Sequence, residues 1–71
     1  MDLDQQGFNI GSRVVLNINM LPKIEGQIIS REHGNTYKIL FDSELNIYGR
    51  KSRDWVVLRD NLKLAMREEL L

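Results

Sequence analysis

Tyr37-Lys38-Ile39-Leu40-Phe41-Asp42 alternates strictly. Tyr37, Ile39 and Phe41 share one face, and Lys38, Leu40 and Asp42 share the other. Period two is the signature of a half-buried strand. Upstream lie a turn at His33-Gly34-Asn35 and a strand-like run from Ile24 to Ser30. Downstream come a polar stretch and then Asp54-Trp55-Val56-Val57-Leu58-Arg59-Asp60-Asn61-Leu62. This order of parts predicts an all-β, very small closed barrel.

The remaining elements follow by the same reading. Ser12 to Met20 alternates, with Val14, Leu16, Ile18 and Met20 predicted inward, and Pro22 marks the end of that strand because it lacks a backbone donor. From Lys23 to about Arg31, Ile24, Gly26 and Ile28 share a face. Gly26 inside a strand signals a bulge, a bend or a close backbone approach. Gly34 in Glu32-His33-Gly34-Asn35 is free to take positive φ. The segment from Asp42 to Arg53 reads as a long polar excursion holding Leu45, Ile47 and Tyr48, with at most a poor strand or hairpin. Asp54 to Leu58 is the fourth strand. Arg59-Asp60-Asn61 reads as one 3₁₀ turn and Leu62-Lys63-Leu64 as a short closing strand. Residues 1–10 are expected as a leader, with Phe8 and Ile10 available to pack on the barrel. Residues 11–65 form the barrel. The tail, 66–71, leaves room for a short C-terminal helical turn that needs docking of Met66 or Leu70.

Seventy-one residues make one small domain. A domain of this size buries only about 60% of its unfolded surface, so it rests on one core, a partner, or both. There is no cysteine and one histidine, which excludes disulfides and nearly excludes a closed structural zinc site. No stretch approaches the roughly 20 apolar residues of a membrane span, and Met1-Asp2-Leu3-Asp4-Gln5-Gln6 is acidic where a signal peptide is basic. The expectation is a soluble, cytoplasmic protein with no membrane partner and no cofactor. Formal charge balances, with ten Lys and Arg against ten Asp and Glu. From Arg13 to Arg59, however, eight basic residues face five acidic ones, a bias of +3. That is mild beside the footprint of a duplex-DNA binder.

Four stretches carry a family resemblance. Gly11-Ser12-Arg13-Val14 looks like the "G-x-x-V" opening of Tudor and KOW modules, and Ile24-Glu25-Gly26-Gln27-Ile28 resembles their second strand. Tyr37 to Asp42 is close to the Tudor "Y-x-V-x-F-D" strand, and Val57 to Leu64 is similar to the ending "V-x-x-E/D-x-L-x-L". Residues 11 to 64 are covered. The resemblance implies a five-stranded Src-homology-3-like (SH3-like) barrel. Segment 43–53 departs from it, being longer than the usual Tudor turn.

Two clusters suggest binding. Tyr37, Phe41, Tyr48 and Trp55, with Asp42, have the composition of an aromatic cage for a cation, which the Tudor resemblance brings to mind for methylated lysine or arginine. Alternation instead favours Tyr37 and Phe41 as core, with Trp55 capping one barrel end. Arg50-Lys51-Ser52-Arg53, between Tyr48 and Trp55, combines phosphate-neutralising cations with stacking aromatics, and Arg31 and Lys38 flank it as an extension. A solvated loop or a protein-contact loop explains the same charges. Val15, Ile29, Leu40, Val56 and Leu58 fall on outward faces, a pattern suited to a protein interface or self-association. Catalysis is not expected. There is no G-x-S-x-G, Walker or G-x-G-x-x-G motif, the pair Asp42 and Glu44 lacks partners, His33 reads as a turn residue, and no pore motif is present.

The leading expectation is therefore a non-enzymatic module that contacts nucleic acid or a nucleoprotein complex such as a polymerase or ribosome. Its site residues would be Arg50, Lys51, Arg53, Tyr48, Trp55, Arg31 and Lys38. The alternative is a protein–protein interaction module or small regulatory subunit using the outward apolar residues.

Overall fold

The computed structural model describes residues 8–65. Five strands form one antiparallel sheet: β1 (Arg13–Leu16), β2 (Glu25–Arg31), β3 (Thr36–Ile47), β4 (Arg50–Leu58) and β5 (Leu62–Leu64). A 3₁₀ turn, Arg59–Asn61, joins β4 to β5, and there is no α-helix among the described residues. The sheet order is β4-β3-β2-β1-β5. The chain thus meanders from β1 to β4 and returns to the far side of β1. The tail helical turn expected at 66–71 and most of the 1–10 leader lie outside the described residues.

The alternation of Tyr37 to Asp42 holds. Tyr37, Ile39 and Phe41 are buried, joined in one core by Val14, Leu16, Ile28, Leu45, Val57, Leu62 and Phe8. Phe8 packs on Tyr37 with centroids 6.0 Å apart, under the Arg59 guanidinium at 4.8 Å. Ile10 stays exposed. Gly26 is a close approach: a Cβ there would lie 2.8 Å from Ile39 Cγ2, Leu40 O and Phe41 Cα. The bulge of β2 falls one turn of the pleat later, between Ile28 and Ser30.

Three expectations need correction. β1 ends at Leu16, not Met20. The chain turns at Ile18–Leu21, where Leu21 N–H donates to Ile18 C=O at 3.2 Å, and Met20 is exposed instead of inward. Second, segment 43–53 is no irregular excursion. It extends β3 and β4 into a longer hairpin, with Leu45↔Ser52 and Ile47↔Arg50 paired. Between Leu40↔Asp54 and Leu45↔Ser52, residues 41 to 44 on β3 face Arg53 alone on β4. Such a bulge bends its strand, and Leu45 beyond it packs in the core, in phase with Tyr37, Ile39 and Phe41. Arg53 Nε–H donates to Phe41 C=O at 3.0 Å, at the place where the ladder is interrupted. Asp42, within the bulge, is held by Arg13 at 2.5 Å, and Arg13 also pairs with Glu25 at 2.8 Å, so three strands are tied together. Third, the sheet is not closed. β4 and β5 do not pair and remain as its two edges. The 3₁₀ turn carries the chain across the open end, anchored by Asn17 N–H to Asn61 C=O at 2.8 Å.

Candidate functional site: a cleft beside the open β4 edge

The β3–β4 hairpin closes through Tyr48 and Gly49, whose φ values are 54° and 79°. Positive φ at both central residues is the requirement of a type I′ turn, which favours Asn-Gly. Tyrosine at the first position is held in the left-handed region at about 1–2 kcal/mol. No packing offsets that strain, for Tyr48 is 102% exposed. Met20 repeats the combination, with φ 72° and 97% exposure, in the turn between β1 and β2.

Between these two turns the structure opens an apolar cleft of about 330 Å³. Its walls include Trp55 and Val57 of β4, Ile47 of the hairpin, and Leu16 and Ile18 at the end of β1. Tyr48 stands at its rim. The indole is fixed on both sides. Trp55 Nε1–H donates to Ser52 C=O at 2.9 Å, and the Arg50 guanidinium lies 4.4 Å from the ring centroid. Arg50 pairs with Ile47 and so points to the same side of the hairpin as the core residue Leu45. Among the described residues Arg50 makes no ion pair.

Backbone register defines the cleft's other border. Arg59 N–H donates to Asn35 C=O at 2.7 Å. Antiparallel pairs alternate between hydrogen-bonded and non-hydrogen-bonded, so Tyr37↔Val57 and Ile39↔Trp55 are bonded, while Thr36↔Leu58, Lys38↔Val56 and Leu40↔Asp54 are not. Asp54 and Val56 therefore turn their N–H and C=O groups, and Leu58 its N–H, away from β3 toward the open edge, while the Leu58 C=O caps the 3₁₀ turn. At Asp54 the Ser52 hydroxyl covers that edge: its Oγ accepts from Asp54 N–H at 3.2 Å and lies 3.2 Å from Asp54 C=O and 2.6 Å from Oδ1. The Ser52 hydroxyl, then the residue's own N–H, hold the Asp54 carboxyl below the usual aspartate range. Farther along, the 3₁₀ turn limits the edge. What stays open is Val56 to Leu58, where the side chains of Val56 and Leu58 are 53% and 52% exposed on the outer face.

The seven residues expected at a basic-aromatic site do not converge. Tyr48, Arg50, Lys51 and Trp55 share the hairpin, but Lys51 pairs with Asn46 and points to the opposite side from Arg50. Arg53 is engaged with the Phe41 carbonyl. Lys38 sits on the outer sheet face opposite Val56. Arg31 pairs opposite Tyr37 near the start of β3, its guanidinium 5.7 Å from that ring, at the other end from Arg50. No aromatic cage is assembled either. Tyr37 and Phe41 are core, and Asp42 is paired with Arg13. The outward placement of Ile29, Leu40, Val56 and Leu58 holds, while Val15 is half-buried on β1.

Leu16, Ile18 and Val57 as cleft walls, and Ser52 as an edge cap, were not legible as site residues. Their patterns signal only strand and loop. Among the described residues no group of three His, Asp or Glu side chains is placed to hold a metal, and no helix is long and apolar enough to cross a membrane. No protein-family model, no curated protein and no solved structure matches the chain.

Proposed function

We propose that this chain is a non-enzymatic protein-interaction module of the small-barrel type, which takes part of a partner protein into the cleft beside β4. Two features support the barrel reading. A meander of β1 to β4 with β5 returning beside β1 is a connectivity that lets five strands curl on themselves, and Gly26 permits the tight crossing such curling needs. The observation that carries the function is the cleft itself: about 330 Å³, apolar, and rimmed by exposed Tyr48, Val56 and Leu58. Binding sites are concave and mostly apolar, and about 300–1,000 Å³ is their usual range. Exposed large apolar side chains gathered on one rim are the mark of a contact surface.

The test is selection of random linear peptides against the immobilised full chain. Enriched peptides are expected to blue-shift the emission of Trp55, the chain's single tryptophan. They should also lose about tenfold in affinity, ~1.4 kcal/mol, against Ile18→Glu, which sets a charge in the cleft wall. If no enriched peptide moves Trp55 emission, the reading fails.

A second reading, contact with RNA or single-stranded DNA, draws on Tyr48, Arg50 and Lys51 standing on one hairpin. Two phosphate contacts would give a log–log salt slope of about −1.4. Labelled oligouridylate that shows no anisotropy change at low salt, or an unchanged one with Arg50→Ala and Lys51→Ala together, removes it.

A further inference from the structure

Resting on the cleft reading, we propose that the occupant is an extended protein segment that adds to β4 as a further strand at Val56–Leu58, with alternate apolar side chains in the cleft and a carboxylate against Arg50. The register exposes the N–H and C=O of Val56 and the N–H of Leu58 on an edge that the Ser52 hydroxyl closes at one end and the 3₁₀ turn, which takes the Leu58 C=O, at the other. Only another extended backbone presents donors and acceptors at that spacing. Because side chains alternate across a strand, every second residue of the segment would point inward to Trp55, Val57 and Leu16. Those between would lie beside the half-exposed Val56 and Leu58.

Charge selects the partner's chemistry. Arg50 lies over Trp55, a wall of the cleft, 4.4 Å from the ring centroid and without an ion pair among the described residues. Asp54 lies within electrostatic reach of Arg50 but forms no ion pair with it, its carboxylate taking the Ser52 hydroxyl, and Asp42 is paired with Arg13. A carboxylate on the incoming segment completes this corner. Tyr48, strained and exposed, lines the cleft, and strain that local packing does not explain collects where a surface is used. A second copy of the chain fits less well. The inward side chains of its own edges, Trp55 and Val57 on β4 and Leu62 on β5, are already committed to its own core and would leave the cleft empty.

Enriched peptides from the selection described above supply the probe. Each is remade with one backbone amide N-methylated at a time. Strand addition is expected to show losses of about five- to tenfold at alternate amides and little between them. Val56→Pro, whose lost N–H faces the open edge and not β3, should abolish binding while the far-UV spectrum and melting temperature are kept. Arg50→Glu should weaken acidic peptides and strengthen those in which the acid is replaced by lysine. Peptides that shift Trp55 emission yet tolerate every N-methylation overturn strand addition while leaving the cleft reading intact. No enriched peptide at all overturns both. A dimer seen by sedimentation without peptide and lost in Val56→Pro assigns the edge to a second copy and overturns the proposal.

Discussion

Replacing Gly26 by alanine adds one methyl group at the tightest point of the sheet. That carbon would stand 2.8 Å from Ile39 Cγ2, Leu40 O and Phe41 Cα, and two of the three are backbone atoms of the strand paired with Gly26. Carbon atoms prefer about 3.5–4.0 Å, so β2 and β3 would have to separate by roughly 0.7 Å where their ladder holds them about 4.8 Å apart. Side-chain rotation cannot relieve backbone contacts. Overpacking a core costs about 1–3 kcal/mol, and this site belongs at the upper end. Lower entropy of the unfolded alanine chain returns about 0.4–1 kcal/mol. The expected net loss is ~2–3 kcal/mol, against the ~4–10 kcal/mol typical of a chain this long. The melting temperature should fall by about 10–20 °C. Gly34→Ala is the matched control. Its φ is +68° but nothing lies within 4 Å of a Cβ, so only the conformational penalty applies, about 1 kcal/mol after the same entropy term. Urea titrations read by Trp55 fluorescence and far-UV circular dichroism measure both. If Gly26→Ala loses no more stability than Gly34→Ala, the close approach is not what shapes the sheet.

Tyr48→Asn should stabilise the fold by about 1 kcal/mol, because Asn tolerates the left-handed turn, while weakening capture of cleft-binding peptides; a paired melt and binding titration checks the opposite signs. Leu45→Ala removes the side chain that seats the bulged hairpin on the core and should cost about 2–3 kcal/mol, measured by chemical denaturation. Ser52→Ala should raise the Asp54 carboxyl pKa toward the ordinary aspartate value, read by carboxyl-carbon NMR titration. With Ser52 present the folded pKa is depressed, so the stabilising contribution is complete above the unfolded value and is lost as the pH falls through the folded one. In Ser52→Ala that acid-side dependence should shrink.

Much of the fold was legible because each strand reports its own burial. Tyr37, Ile39 and Phe41 alternate with polar or edge positions, and so do Val14 and Leu16, since one face of every strand meets the core. The 3₁₀ turn and the Leu62-Lys63-Leu64 ending were equally readable from local spacing. Met20 misled the same reading: it continues the alternation in sequence, but the chain has already turned at Ile18. Segment 43–53 misled it differently. Leu45 and Ile47 stay in phase with Phe41, but the run Asp42-Ser43-Glu44 hides that period, and the register shift opposite Arg53 that separates them is a matter of pairing.

The candidate site was less legible, and for a physical reason. Sequence places Tyr48, Arg50, Lys51, Arg53 and Trp55 close together along the chain. Which of them share a surface depends on strand parity and on the bulge, which send Arg50 over Trp55, Lys51 to the other side and Arg53 to the Phe41 carbonyl. By itself, then, the sequence determined which residues are strands and which face of most of them is buried, because those properties follow from periodicity within a few residues. Tertiary structure alone decided that β4 is an open edge and that a cleft lies between it and the end of β1. Edges and clefts arise from how strands distant in sequence are paired, and no local pattern encodes a pairing that is left unmade.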